Sequence, residues 1–380
     1  MRELPRRTRY DAVVIGAGLI GLACAWRARR RGLRVLVVDR AREPGAGASA
    51  VAAGMLAPVT EADFGDEARI ALNLAARERW PSFAAELEEI TGLPTGYRDC
   101  GALVVAADRD DVAELRRLHD FQRALGLAVE WLPPSRSRAV EPGLAPRIGG
   151  AILASGDGVA DPVQTVAALA AAAGEIELGA DVAAIDHDGA RVTGVRTSAG
   201  PIACERVVIA AGAWSAALAP EGSGPPVRPV KGQLLELRVR GTGGPPVERI
   251  VRTPRCYLVP RPGGRLIVGA TVEEQGFDTT VTADGVLRLL EAAWEVLPEV
   301  GELELVRARA GLRPGTPDNA PLMGEGELEG LLWATGHWRN GVLLAPLTGD
   351  ALAGMLAGEP VPELVSDLSP RRFDRTGAHA

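Results

Sequence analysis

The sequence predicts an α/β fold in which a parallel sheet with a nucleotide-binding turn is interrupted by a second, mixed α/β unit built on an antiparallel sheet. Three observations carry this. Gly16, Gly18 and Gly21 stand in the run Val13-Val14-Ile15-Gly16-Ala17-Gly18-Leu19-Ile20-Gly21, and Asp39 closes the run Arg34-Val35-Leu36-Val37-Val38. Far downstream, two more apolar runs end in Gly-containing turns, at Gly212 and Gly336. Between them lie closely spaced strand-like stretches separated by Gly/Pro turns such as Pro262-Gly263-Gly264.

Residues 12–15 read as a buried parallel strand, 19–31 as a helix and 34–38 as a second strand, which together make a βαβ unit of the Rossmann-like kind. Gly16 permits the tight turn, Gly18 lets backbone N–H groups approach a pyrophosphate at the helix N-terminus, and Gly21 lets helix and strand pack closely. Asp39 is placed to accept from the ribose hydroxyls of an adenosine. The same segment has a rival reading as a secretion signal. Arg2, Arg6, Arg7 and Arg9 would be its charged region and Ala23-Cys24-Ala25 its cleavage site. Asp11 interrupts that pattern, and cleavage there would destroy a unit that continues coherently to Asp39. Residues 1–9 are therefore expected to be a flexible basic leader.

Residues 42–57 are rich in Gly and Ala, which allows close approach to a ligand. A helix follows over 70–89, with Leu72, Leu74, Trp80, Phe83, Leu87 and Ile90 on its apolar face. Then come a strand at 102–106, a helix at 110–125, and a loop with a short helical turn at 132–142. Asp161 can cap a helix over 163–173, with Pro162 at its first position, where the missing N–H costs nothing. Short strands are expected at 176–178, 181–186, 192–197 and 207–212. A Gly/Pro linker at 222–226 leads to antiparallel strands at 233–239, 256–260 and 266–270, with Lys231-Gly232 as a turn opening the first. Strands at 304–309 and 331–335 and a helix at 341–356 complete the chain. The expected nucleotide domain is discontinuous, over 10–80, 150–225 and 304–365. The second domain takes 81–149 and 226–303, and the termini 1–9 and 366–380 are expected to be flexible.

Composition narrows the function. The chain has 380 residues, 47% of them hydrophobic, which suffices for the cores of two domains. Its net charge of −7, without a basic stripe, argues against a nucleic-acid partner and against a membrane anchor. The apolar run near the N-terminus is shorter than the ~20 residues a membrane span needs. Cys24, Cys100, Cys204 and Cys256 are widely separated, which points to free thiols in the cytoplasm, and with four histidines no metal site is expected.

Taken with the first unit, Val207-Val208-Ile209-Ala210-Ala211-Gly212-Ala213-Trp214-Ser215 and Ala334-Thr335-Gly336-His337-Trp338-Arg339-Asn340-Gly341 resemble the flavin-binding elements of the D-amino acid oxidase superfamily. Within it the chain is most similar to the glycine oxidases of thiamine biosynthesis. Three further motifs carry that likeness: Ser49-Ala50-Val51-Ala52-Ala53-Gly54-Met55-Leu56, Cys256-Tyr257-Leu258-Val259-Pro260-Arg261, and Ala310-Gly311-Leu312-Arg313-Pro314-Gly315-Thr316-Pro317-Asp318. The resemblance spans roughly residues 10–358.

The resemblance implies FAD and an amine or amino-acid substrate, oxidised by hydride transfer to the flavin N5 to give imine or glyoxylate, ammonia and hydrogen peroxide. Glycine is the expected substrate, with sarcosine and small D-amino acids beside it. The alternative within the fold is a D-amino acid or secondary-amine dehydrogenase that passes electrons to another acceptor. Arg313 would grip the substrate carboxylate, Tyr257 would add a hydroxyl donor, and Arg339 would shape the amine side, completing the candidate catalytic set. Contacts to FAD are implied for Gly16, Gly18, Ile20, Gly21, Asp39, Arg40, Ser49, Gly54, Met55, Val182, Gly212, Trp214, Gly336, His337, Arg339, Asn340 and Gly341. His337 is expected to sit beside the flavin or in the packing, not to shuttle protons. Some relatives tether the flavin through a Cys before the counterpart of Arg313 or a His after the first acid. Here the positions read Ala310-Gly311-Leu312, with no His in 46–54, so non-covalent FAD is expected. Arg255 and Ala57 stand where the pocket is expected to vary. Dioxygen, a homo-oligomer and hand-over of the imine to a thiazole synthase complete the expected partners.

Overall fold

A strand that is apolar on both faces must be covered on both, and this decides where Tyr10–Ile15 lies. In the computed structural model, which describes residues 9–65, 67–220, 224–241 and 243–373, it is a central strand of an eight-stranded sheet. Val14 is in register with Val37 of Val35–Asp39 on one side and with Val208 of Gly200–Ile209 on the other, both parallel. Leu331–Thr335 and Glu175–Leu178 extend the parallel set outward, and Leu322–Glu325 adds an antiparallel edge.

One face is covered by the helices Leu19–Arg30, Glu67–Thr91, Pro162–Ala173 and Gly341–Leu356, whose Leu22, Trp26, Trp80, Phe83 and Leu344 share one core. Trp26 meets Phe83 edge-on at 5.1 Å, and Trp80 Nε1 donates to Leu343 O at 3.0 Å. The hairpin Val182–His187 and Val192–Thr197 covers the other face, burying Ile185 and Val195 against Val13 and Ile15. Because the chain leaves Tyr10–Ile15 toward Val35–Asp39 and returns on its other side as Gly200–Ile209, a crevice opens beyond the carboxyl ends of these strands. Such switch points are where open α/β sheets bind ligands.

Two glycines make the crevice possible. Gly16 has φ +117°, and a Cβ there would lie 2.3 Å from Ala210 O. Gly21 has ordinary helical backbone, but its Cβ would lie 2.0 Å from Gly16 O. The close packing expected of this fingerprint is thus present at Gly21.

The second sheet also has eight strands, in the order Glu304–Gly315, Arg228–Arg238, Arg265–Gly269, Tyr257–Arg261, Ile250–Arg252, Ala102–Ala106, Gly150–Ala154 and Glu130–Leu132. Neighbours are antiparallel, except for Ile250–Arg252 beside Ala102–Ala106. The helix Ala283–Val296 closes its core through Leu289, Ala293 and Val296.

The structure moves several expected boundaries. Glu304–Gly315 and Gly150–Ala154, expected in the nucleotide unit, belong to the second sheet, and Glu304–Gly315 runs past residue 309 because Arg228–Arg238 pairs with it along its whole length. Conversely, residues 81–91, expected in the second unit, continue the helix Glu67–Thr91 against the first sheet, with Ile90 pointing outward. Residues 132–142 include the strand end at Leu132 and a helix, Pro134–Val140. Lys231-Gly232 lies inside Arg228–Arg238 and does not open it. Of the tail expected to be flexible from 366, residues 366–373 are folded: Arg372 pairs with Asp318 at 2.8 Å, and Arg371 Nη2 donates to Gly326 O at 2.7 Å. Residues 1–8 of the leader, 222–223 of the linker and 374–380 lie outside the described residues. Among the described residues no helix is long and apolar enough to cross a membrane.

Gly21→Ala is expected to cost about 3 kcal/mol, the upper end of what overpacking costs. Gly156→Ala, whose Cβ would meet nothing within 4 Å, is expected to stay within about 0.5 kcal/mol. Urea unfolding of the two variants tests the contrast.

Candidate functional site

The crevice leads into a cavity of about 510 Å³ between the two sheets. The helix Leu19–Arg30 points its N-terminus at it, and Gly18, the N-cap, offers no side chain to hold the first N–H groups. Ser49, thirty residues on, supplies the cap: its Oγ accepts from Leu19 N at 3.0 Å. A Cβ on Gly18 would approach only that Oγ, at 3.6 Å, so the backbone is open to the cavity. Asp39 Oδ2 accepts from Ala17 N at 2.6 Å and Oδ1 from Ala41 N at 2.8 Å. One bond per oxygen leaves further lone pairs for hydroxyl donors. Ile20 and Val182 line the cavity nearby, and Arg40 lies over the Trp214 ring at 4.1 Å, from the turn Gly212–Leu218.

Gly54 and Met55 form part of the wall. Gly54, with φ +71°, packs so tightly that a Cβ would lie 1.9 Å from Ala160 O. Arg261 clamps this loop: it donates to Ala53 O, and at 3.2 Å to Ala160 O. Burial pulls its guanidinium down to about 10. Asp161, 3.8 Å from Arg261, caps the helix Pro162–Ala173 by accepting from Val163 N and Gln164 N, as the sequence implies.

At the last turn Gly341 opens the helix Gly341–Leu356 into the cavity, presenting its positive N-terminal end. His337 also lines the cavity, yet its ring is buried and its Nε2 lies 3.0 Å from Thr348 Oγ1. Burial depresses its pKa to about 3, so the imidazole is neutral at working pH and fixed in the packing.

Tyr257, Arg313 and Arg339 meet in this same cavity, although 82 positions separate Tyr257 from Arg339 in the sequence. Arg313 Nη1 donates to Lys231 O at 3.3 Å and Thr271 O at 3.1 Å, which fixes one arm of the fork and leaves the rest for a ligand or Tyr257. Desolvation lowers the Arg313 pKa, with Tyr257 opposing the shift, while burial raises the Tyr257 phenol, which stays protonated and able to donate. Glycines clear the space: a Cβ on Gly232 would lie 2.4 Å from the Arg313 guanidinium, and one on Gly269 would lie 2.4 Å from the Tyr257 hydroxyl. Trp338 is held at φ +50° beside them, its ring 6.0 Å from Arg313 Cζ.

Three expected cofactor contacts are not part of the cavity wall. Gly21 packs beneath the strand. Gly336 (φ +72°) makes room for Thr316, whose Cγ2 would lie 2.7 Å from an added Cβ. Asn340 is the N-cap of the last helix and contributes backbone bonds only, to His337 O and from Leu344 N. In the other direction, Glu61 and Gly232 line the cavity without having been singled out for it. Glu61 lies in the non-periodic stretch 57–65, where no pattern marks it. Gly232 carried a usable signal, since a glycine inside a strand often marks close approach by another group. Among the described residues no cluster of three or more His, Cys, Asp or Glu is placed to hold a metal ion.

The donor set fits an adenine dinucleotide whose ring carries an electron-rich oxygen: open backbone N–H groups at Gly18, a carboxylate with free lone pairs at Asp39, and a second helix N-terminus at Gly341. The comparisons with known proteins agree. The family described as FAD dependent oxidoreductase matches residues 11–355. Glycine oxidase of Geobacillus kaustophilus is 36% identical over 383 residues, which cover 97% of each chain. Its crystal structure superposes with a TM-score of 0.90 at 35% identity, covering 96% of this chain and 99% of that one. The bifunctional protein ThiO/ThiG of Synechocystis is also 36% identical over 97% of this chain, which spans about half (54%) of that relative's length.

The buried neutral His337 ties stability to pH. Its folded pKa, about 3, lies below the ordinary value of 6.5, so its contribution is complete above pH 6.5 and is lost as pH falls toward 3. Between these limits His337 makes stability fall by about 1.4 kcal/mol per pH unit. His337→Gln is expected to flatten that part of the acid limb, as read by urea midpoints at pH 7 and pH 5.

Proposed function

The chain belongs to the FAD-dependent oxidoreductase family, and on that premise we propose that it oxidatively deaminates glycine, with sarcosine and small D-amino acids as further substrates. The observation that carries this reading is the convergence of Arg313 and Tyr257 on the cavity that the Gly18 and Gly341 helix ends also face. A planar guanidinium with a phenol beside it matches the two oxygens of a carboxylate. The glycine oxidases similar to this chain along nearly its whole length support glycine as the amino acid.

FAD, held by the open N–H groups at Gly18 and Gly341 and by Asp39, would supply a two-electron acceptor for the hydride of the substrate α-carbon, with dioxygen as final acceptor and hydrogen peroxide as product. The protein's part is positioning. Arg313 and Tyr257 fix the carboxylate, which orients the α-carbon and fixes which of its bonds faces the flavin. Arg339 borders the amine side, and the neutral His337 leaves the proton inventory of the site unchanged. The wall includes no cysteine and no histidine but His337 among the described residues, which supports FAD held without a covalent bond. The imine product hydrolyses to glyoxylate and ammonia unless it is captured. Relatives named ThiO/ThiG support capture by a thiazole synthase in thiamine synthesis. The four cysteines, all free, suit a reducing cytoplasm.

The purified protein is expected to be yellow, to lose its flavin absorption under anaerobic glycine and to release peroxide in air. Turnover with an artificial dye but not with oxygen would overturn the assigned acceptor. Arg313→Met is expected to lower kcat/KM for glycine about 100-fold and Tyr257→Phe about tenfold, as loss of a charged and of a neutral donor to a carboxylate implies. Steady-state peroxide assays measure both. Unchanged kcat/KM in Arg313→Met would sink the assigned site.

A further inference from the structure

Glu61 lines the cavity beside Tyr257, Arg313 and Arg339, and nothing in the reaction above uses it. Its Oε1 is buried and has no hydrogen-bond partner. Two guanidiniums flank that oxygen at ion-pair range without bonding to it, Arg252 Nη2 and Arg339 Nη2, each at 3.6 Å. A buried carboxylate oxygen with an open lone pair is costly unless a ligand donor meets it.

The turn that carries Glu61 is also held in place. Glu61 N donates to Ala57 O at 3.1 Å, and the adjacent Thr60 donates to Asp157 through its N at 3.0 Å and its Oγ1 at 2.7 Å. Arg252 donates to Thr60 O from the other side. Glu61 shares the cavity wall with Tyr257 and Arg313, and Arg339, 3.6 Å from its Oε1, belongs to the same wall. Around Tyr257, Arg313 and Arg339 the wall thus offers cations for a carboxylate and, in Glu61, an anion with an unused acceptor. Arg252, which is not part of the wall, supplies a counter-charge behind Glu61.

We propose that Glu61 anchors the substrate amine: its Oε1 accepts an N–H bond from an α-amino acid whose carboxylate lies on Arg313 and Tyr257. The inference rests on the amino-acid reading above and adds to it the group that recognises the amine. It makes Glu61 a substrate-binding residue that discriminates amino acids from plain carboxylates. No proton transfer is assigned to it.

The test compares two ligands that differ in the amine, using the FAD-loaded enzyme. Glycine affinity is taken from the concentration dependence of anaerobic flavin reduction, and acetate affinity from the shift it causes in flavin absorption. In Glu61→Gln the ratio of the glycine Kd to the acetate Kd is expected to rise about tenfold or more, the scale of one charge-assisted hydrogen bond. A smaller change in the ratio, including equal weakening of both ligands, overturns the proposal. If Glu61→Gln does not fold, Glu61→Asp keeps the charge beside Arg252 but withdraws the oxygen by one methylene, and the same ratio decides. Should glycine fail to reduce the wild-type flavin, the functional reading fails first. The comparison then uses whichever amino acid does reduce it, paired with its deaminated carboxylate.

Discussion

The first helix must lie against the first strand with no side chain between them, and most of the architecture depends on that contact. Gly16, Gly21 and Ala210 meet there at backbone distance. A Cβ on Gly21 would press the helix Leu19–Arg30 onto Gly16 O, and one on Gly16 would press the turn onto Ala210 O. With the contact made, the helix N-terminus faces the cavity, and Ala17 N comes within 2.6 Å of Asp39. One carboxylate then ties the turn after the first strand to the turn after the second, because Ala41 N binds its other oxygen. The nucleotide end is therefore assembled from backbone groups and one acid, all referred to the same helix.

The second sheet meets this frame through charge and through missing side chains. Arg261 reaches out of its strand to hold Ala53 and Ala160, so the loop carrying Gly54 and Met55 is fastened to both units. The strands Arg228–Arg238, Arg265–Gly269 and Glu304–Gly315 place glycines where Arg313, Tyr257 and Val51 must pass. Gly232 and Gly311 stand opposite each other in register, which leaves a bare stretch of sheet beneath the Arg313 fork. An arginine whose Nη1 is bound to two carbonyls on neighbouring segments loses little further side-chain entropy when a carboxylate arrives.

Legibility in the sequence followed periodicity and local chemistry. The βαβ unit, the helix cap at Asp161, the strands Ala102–Ala106, Val192–Thr197 and Leu331–Thr335 and the helix Gly341–Leu356 depend on short-range patterns, and the structure has them where those patterns lie. The partition into units was less visible, because membership in a sheet is decided by distant pairing: nothing within residues 304–315 says that Arg228–Arg238 runs beside them. At the cavity, Arg313 and Tyr257 stand in motifs that set them apart in the sequence, and both reach the wall. Gly336 and Asn340 lie off the wall, because a motif does not say which of its residues serve packing. Glu61 was invisible, since its surroundings are set by Arg252 and Arg339, 191 and 278 positions away in the sequence.

This division of labour separates the two ends of the cavity. At one end the wall offers mostly main-chain N–H groups at the two helix ends, and these depend on the fold more than on side-chain identity. At the other, the charged groups come from the second sheet, from the 57–61 turn and from the loop that follows Leu331–Thr335. Arg255 and Ala57, where the pocket was expected to vary, stand outside this wall: Arg255 pairs with Glu295, and Ala57 is buried in the packing. Glu61 is constrained from behind as well, because its carboxylate also answers the buried Arg252. Removing it would leave that guanidinium with less counter-charge in a desolvated place, so an anion here serves the packing of the turn as well as the ligand. The one acid of the substrate wall is in this way tied to the stability of the loop that carries it, and a change of substrate charge at this site would call for a matching change at position 252.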